Sequence, residues 1–220
     1  VFAETFYAGL NSFVLLSIPM FILMGMAVAN SPAGKDLYTG LDRWLWRVPG
    51  GLVISNIGAC SIFAALSGSS PATCAAIGTM GIPEMRKRGY SDQIATGTIA
   101  AGGTLGVLIP PSIVLIVYGM ATGTSIGRLF LAGIIPGFML ASLFALWALI
   151  HSYFIDKNAA KLLRNRKPPT LKEKLEVLPR IFPFLAIIVG VLYVLYGGVA
   201  TPSEASGVGA FLVFVMIAVV

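Results

Sequence analysis

Long apolar runs recur along this chain, at about 11–29, 93–122, 127–150, 181–200 and 205–220, with polar stretches between them. Each comes close to the roughly 20 residues that an α-helix needs to cross the hydrocarbon core of a bilayer. A water-soluble fold would have to bury almost all of that surface in one core. The pattern therefore predicts an all-α membrane protein with several spans.

Two of the apolar stretches are interrupted. In FAALSGSSPATCAAIG (63–78), Ser67, Gly68, Ser69 and Ser70 sit between two apolar arms. In GGTLGVLIPPSIVLIVYG (102–119), Pro110 and Pro111 cannot both join a continuous helical ladder, because each lacks an N–H and clashes with the preceding turn. Non-helical backbone at membrane depth is tolerated only where it is buried in protein or lines a watery cavity. Each break therefore requires a protein or ligand partner.

Composition agrees with this class. Hydrophobic residues make up 57% and charged residues 11% of the chain, against about 25% charged in a soluble domain. The 25 glycines and 13 prolines exceed what plain spanning helices need. Cys60 and Cys74 lie in apolar arms without metal-ligand spacing and read as small packing residues. The single histidine, His151, ends a span beside Tyr153 and Phe154, as an interfacial side chain would, and Trp44 and Trp46 fit an aromatic belt. Met20, Met24 and Met26 read as apolar packing, and Asn56 is the asparagine best placed to pair across helices. No phosphate loop, nucleophile triad or metal cluster offers a carrier for enzyme chemistry.

Charge placement predicts the topology. Lys and Arg concentrate in three segments, 35–47, 83–92 and 156–180, with Arg128 the exception. Under the positive-inside tendency all three face the cytoplasm. Residues 49–82 then cannot cross once, so they are expected to enter, turn at Ser67–Ser70 and leave on the same side. The segment 93–122 crosses outward, 122–127 is external and 127–150 returns. The domains expected are 1–48, a scaffold span with an amphipathic segment; 49–82, a re-entrant hairpin; 83–126, a discontinuous helix; 127–180, a span with a basic linker; and 181–220, further scaffold helices. The linker, with Pro168, Pro169 and alternating Lys and Glu, reads as a solvated connector to a surface helix that touches acidic headgroups, not as a nucleic-acid site.

A hairpin tip and a broken helix that meet near the midplane form a known solution for holding ions and substrate. Carbonyls at the end of one half-helix suit Na⁺, and N–H groups at the start of the next suit a carboxylate. Ser70 followed by Pro71 predicts an N-cap with proline at the first helical position, aiming N–H groups at the polar turn. Gly102, Gly103 and Gly106 permit close helix approach, and Thr104 and Ser112 bring hydroxyls to the second break. Thr201, Pro202 and Glu204 match a capping box, although an intramembrane carboxylate also raises an ion or proton role.

The pieces SIPMFILMG (17–25), FAALSGSSPATCAAIGTMGIPEMRKRGY (63–90), GGTLGVLIPPSIVLIVYG (102–119), RLFLAGIIPG (128–137) and TPSEASGVGA (201–210) occur in order. Together they resemble the large membrane subunit of the tripartite ATP-independent periplasmic transporters. The resemblance implies a multi-span inverted-repeat fold of the elevator type in the bacterial inner membrane. It also implies a small membrane subunit, separate or fused, and a periplasmic binding protein that delivers an organic acid such as a C4-dicarboxylate or a sialic acid. Import would be driven by Na⁺ without ATP. By position, Ser67, Gly68, Ser69, Ser70, Pro111 and Ser112 are the candidates for substrate, and Ser67, Ser69, Gly103, Thr104, Gly106 and Pro110 for Na⁺. The segment with Thr201, Pro202 and Glu204 would open the second repeat as scaffold. Family chains are longer, nearly all of the second repeat is lacking here, and the chain begins without methionine; both ends are expected to continue. Rival expectations are proton coupling, a passive channel and a membrane scaffold whose breaks are packing devices.

Overall fold

The structure is a computed structural model that describes residues 2–48, 50–155 and 169–219. The described residues contain helices and no strand. They form α1 (Phe2–Leu10), a 3-10 turn (Phe13–Leu16), α2 (Ser17–Ala29), α3 (Pro32–Trp44), α4 (Gly51–Ser67), α5 (Ser70–Lys87), α6 (Asp92–Gly103), α7 (Leu105–Leu108), α8 (Ile113–Thr122), α9 (Ile126–Ile150, ending in a π turn at His151–Ile155), α10 (Leu171–Tyr196) and α11 (Pro202–Val219). Among them, Asp92–Thr122, 31 residues across its break, and Ile126–Tyr153, 28 residues, are each long and apolar enough to cross a membrane. The protein is a helical membrane protein.

Helix α4 lies at the centre. It has no polar face, and Leu52, Val53, Ile57, Ala59, Cys60, Phe63, Ala64 and Leu66 are all buried, as a helix apolar all round must be. It is covered by α2, α3, α5, α6 and α9. Helix α2 pairs most closely with α11, and α3 with α10. Helix α9 presents Leu131, Ile135, Phe138, Met139 and Leu143 outward. Within this frame α4 and α5 form an antiparallel hairpin whose tip lies inside the molecule.

The basic segments converge. Arg43 of α3 donates to the Glu173 carbonyl of α10 at 2.8 Å, and Arg88, just after α5, reaches Asp42 of α3. Lys174 lies 6.0 Å and 5.8 Å from the ring centres of Trp44 and Trp46. The described parts of all three basic segments therefore share one end of the molecule, and both ends of the α4–α5 hairpin are at that end.

Two boundaries differ from the sequence reading. Helix α5 runs through Pro83 to Lys87, beyond the boundary at 82, because the first turn past the apolar zone is held by side-chain pairing of Arg88 with Glu84. The span expected to begin at 181 begins at Leu171, and the expected surface helix is its first part, joined to Ile181–Tyr196 by a bend of 46°. A Thr170–Glu173 capping box starts it. The linker residues 156–168, Pro168 among them, lie outside the described residues.

Candidate site at the hairpin tip and the broken helix

The tip is built by two backbone conformations. Gly68 ends α4 in the left-handed region at φ 59°, with its N–H on the Ala64 carbonyl at 2.9 Å; glycine takes this conformation without the Cβ penalty. Ser69 is then extended and caps α5, its Oγ accepting from the Ala72 N–H at 3.4 Å. The cap is thus one residue earlier than the Ser70–Pro71 pairing predicted, with Ser70 first and Pro71 second in the helix. Gly68 sets this frame, and a run of serines does not reveal it.

A hydroxyl cluster lies under the turn. Thr73, fully buried, donates its Oγ1 to the Ser69 carbonyl at 2.8 Å, and its N–H reaches the same oxygen at 3.0 Å. Ser67 Oγ lies 3.1 Å from Thr73 Oγ1 and accepts from the Ser69 N–H at 3.4 Å. Ser70 Oγ is buried and has no hydrogen-bond partner among the described residues. Thr73 was not singled out by the sequence reading. Its signal is a hydroxyl four positions after the cap, where a helical side chain folds back onto the i−4 carbonyl.

The second break abuts the first. Helix α6 gives way at Thr104 to the short α7, and the chain passes through Pro110 and Pro111, joined by a cis peptide, to Ser112, the N-cap of α8. Ser112 Oγ donates to the Val107 carbonyl at 2.6 Å. The Ile113 N–H donates to the Gly68 carbonyl at 3.0 Å, so the start of α8 is hydrogen-bonded to the hairpin tip. A Cβ on Gly68 would stand 2.5 Å from the Pro111 carbonyl oxygen, and one on Gly106 would stand 2.8 Å from both Ser69 C and Ser70 N. From α2, a Cβ on Gly25 would come within 2.5 Å of Ser67 Cβ. These glycines let three helices touch the turn.

Of the candidate residues, Ser67, Gly68, Ser69, Ser70, Gly106, Pro111 and Ser112 therefore surround one spot. Gly103 lies beside Cys74 and the Ser70 carbonyl, and Pro110 faces Gly133 of α9. Thr104 is exposed, and its hydroxyl turns back to the Ala101 carbonyl at 2.7 Å. The spot offers neutral oxygens and no carboxylate, a donor set that suits a monovalent hard cation. Most N–H groups at the start of α5 are engaged or, at Pro71, lacking, which leaves the Ser70 hydroxyl as the buried donor without a partner.

Glu204 lies apart from the tip. Its Oε2 accepts from the Thr201 N–H and hydroxyl, both at 2.8 Å, at the start of α11 beside Pro202. Thr201→Ala is expected to lower the thermal midpoint of the full-length protein by about 1–3 °C, the scale of one lost cap. Glu204→Gln, which keeps the acceptor, should leave the ion dependence of uptake unchanged. A Glu204→Gln protein with altered ion dependence would move this carboxyl from capping to transport.

A protein-family model described as Tripartite ATP-independent periplasmic transporter, DctM component, matches residues 1–220. Among curated proteins, the chain is similar to the C4-dicarboxylate TRAP transporter large permease protein DctM of Vibrio cholerae, 41% identical over 211 residues, covering 95% of this chain and 45% of that protein. It is also similar to the isethionate TRAP transporter permease protein DctMQ of Oleidesulfovibrio alaskensis, 37% identical over 209 residues, with 95% and 32% covered. The ectoine TRAP transporter large permease protein TeaC of Halomonas elongata is 35% identical over 199 residues, with 90% and 45% covered. The chain spans less than half the length of each of these relatives.

Proposed function

The chain belongs to the DctM component family of tripartite ATP-independent periplasmic transporters, and from that premise we propose that it is part of a large permease subunit that imports an organic acid by Na⁺ symport. The observation that supports a transport site most directly is the Gly68 carbonyl accepting from the Ile113 N–H at 3.0 Å. It joins two interrupted helices at one buried place, the arrangement in which transporters hold ions and substrate.

In this reading Na⁺ is cargo, taken by oxygens of Ser67, Ser69 and the neighbouring half-helix ends, which carry partial negative charge at their C-termini. The substrate carboxylate meets the Ser70 hydroxyl and the N-terminal side of α5 and α8, where partial positive charge accumulates. The names of the relatives cover C4-dicarboxylate, isethionate and ectoine, each a small solute with an acidic group. A carboxylate is the substrate class proposed here, delivered by a periplasmic binding protein, with a small membrane subunit completing the complex in the inner membrane. The α4–α5 hairpin with α6 to α8 moves as one body against α2, α3, α10 and α11. The bare surface of Gly25 against Ser67 supports a sliding contact there.

The test is uptake into proteoliposomes that hold the full-length protein, its small subunit and its binding protein. Uptake should require an inward Na⁺ gradient. Ser69→Ala, which removes the α5 cap, should weaken it by roughly fivefold, as expected for about 1 kcal/mol. Uptake driven equally by a proton gradient alone would replace Na⁺ with H⁺. Gradient-independent flux would indicate a channel, and no flux at all a scaffold.

A further inference from the structure

At the end where the basic segments meet, α3 is held from two sides by contacts of different kinds. Toward α10 the contact is close: a Cβ on Gly40 would stand 2.9 Å from Val177 Cγ1, and Ile181 is nearer still. Arg43 adds its hydrogen bond to the Glu173 carbonyl. Toward α5 the contact carries a charged cluster beside Tyr38 and Met80. Arg88 forks onto Asp42, Nη1 to Oδ1 and Nη2 to Oδ2 at 3.0 Å each, and also donates through Nε and Nη2 to Glu84 Oε1 at 2.9 and 2.6 Å. Asp42 is only 7% exposed. Beside this cluster, a cleft of about 390 Å³ parts the two helices, lined by Lys35 and Thr39 from α3 and by Thr79 and Pro83 from α5.

We propose that Asp42, Glu84 and Arg88 form a latch between the hairpin base and α3 that opens and re-forms in each transport cycle and sets its rate. The proposal rests on the transport reading above. A close-packed contact such as Gly40 on Val177 and Ile181 resists separation, because every methyl group loses its partners at once. The α3–α5 contact lies beside a cleft, and its Arg88 side chain is 25% exposed, so water can replace Asp42 as its partner. Glu84, in the last turn of α5, is four residues before Arg88 and keeps the guanidinium paired when Asp42 leaves. Opening therefore does not strand a buried cation, the event that makes breaking most buried pairs so costly. Lys35, on the wall of the same cleft, provides a cation on the α3 side for the released carboxylate.

The latch is 18 residues from Ser70 along α5, roughly 27 Å at 1.5 Å per residue. Asp42 and Arg88 are thus positioning residues, and altering them should change the maximal rate while leaving the apparent affinities for Na⁺ and solute in place.

The experiment uses the reconstituted full-length complex. In a background in which Cys60, Cys74 and every cysteine elsewhere in the full-length complex are replaced by Ala, Asp42→Cys and Arg88→Cys are joined by a short, reducible bifunctional thiol reagent. Bridging is expected to cut uptake roughly tenfold or more, as for other gated steps held closed, and reduction is expected to restore it. Asp42→Asn, which keeps the shape and drops the charge, is expected to change the maximal rate by about threefold or more with apparent KM values within about twofold. Bridged protein that transports as fast as the reduced form would overturn the latch, as would an Asp42→Asn effect confined to KM. Wild-type complex measured alongside separates the two claims: no solute uptake by wild type defeats the transport reading itself, whereas normal wild-type uptake with an insensitive bridged variant defeats the latch alone.

Discussion

Gly106→Val is expected to reduce solute uptake by the full-length complex tenfold or more, with protein still present in the membrane. The Cβ position at Gly106 meets Ser69 C and Ser70 N at 2.8 Å and Ser69 O at 3.0 Å. All three are backbone atoms of the turn, so no rotamer change relieves the contact. The turn itself must move, and it is fixed by the Gly68–Ile113 hydrogen bond on one side and by Thr73 on the other. Overpacking of this kind costs about 1–3 kcal/mol, and each ~1.4 kcal/mol is a factor of ten in the population of the intact arrangement. Gly190→Ala is the matched control, because a Cβ there meets nothing within 4 Å, and it should transport normally. Uptake assays at equal protein amounts decide the matter. Wild-type uptake by Gly106→Val would mean that contact between tip and break is not required.

What could be read in advance follows from which forces act locally. The apolar runs and the two interruptions are sequence-local, since each depends on whether a stretch can make its own backbone hydrogen bonds in hydrocarbon. The meeting of Arg43 with Glu173 and of Arg88 with Asp42 at one end matches the expectation that the basic segments lie together, because charge excess is a property of composition. Helix α5 was harder. Past Ile82 its residues leave the apolar zone, so a proline and basic residues look like a loop, yet they stay helical to Lys87. The last turn is held by the local Arg88–Glu84 pair, but the fork that ties this end to α3 reaches Asp42, 46 positions away, which no local pattern reports.

The site shows the same division. That Ser67, Gly68 and Ser69 form the turn is legible because small polar residues stand out against apolar arms. Thr104 was grouped with them on proximity to the break, and its hydroxyl faces the other way, toward Ala101, because the helical phase between Gly103 and Gly106 decides which residue points at the tip. Thr73 was passed over because one threonine in PATCAAIG looks like tolerated packing. Its place in the cluster comes from Gly68: the left-handed turn there makes Ser69 the cap and brings the Ser69 carbonyl over Thr73.

Thr73→Val is the second large effect expected, and it tests the hydroxyl cluster apart from the packing around it. Valine keeps the branched shape and removes the hydroxyl. The Ser69 carbonyl then loses its 2.8 Å partner and retains the residue-73 N–H at 3.0 Å and the longer Ser67 Oγ contact at 3.4 Å, and Ser67 Oγ loses its neighbour at 3.1 Å. Both atoms belong to the turn, and Ser67 is fully buried, so the loss costs about 1–3 kcal/mol for groups left short of partners. If the oxygens of Ser67 and Ser69 take Na⁺, the released turn holds them less well before the ion arrives. The Na⁺ concentration for half-maximal uptake should therefore rise about fivefold or more, since ordering that was built in must now come from binding. Thr73→Ser restores the hydroxyl and should bring the Na⁺ dependence back to within about twofold of wild type, whatever it does to thermal stability. A titration of uptake against Na⁺ for the three proteins separates the possibilities. A valine variant that is less stable but has an unchanged Na⁺ midpoint would leave Thr73 as a brace for the hairpin and would move the ion away from Ser67 and Ser69.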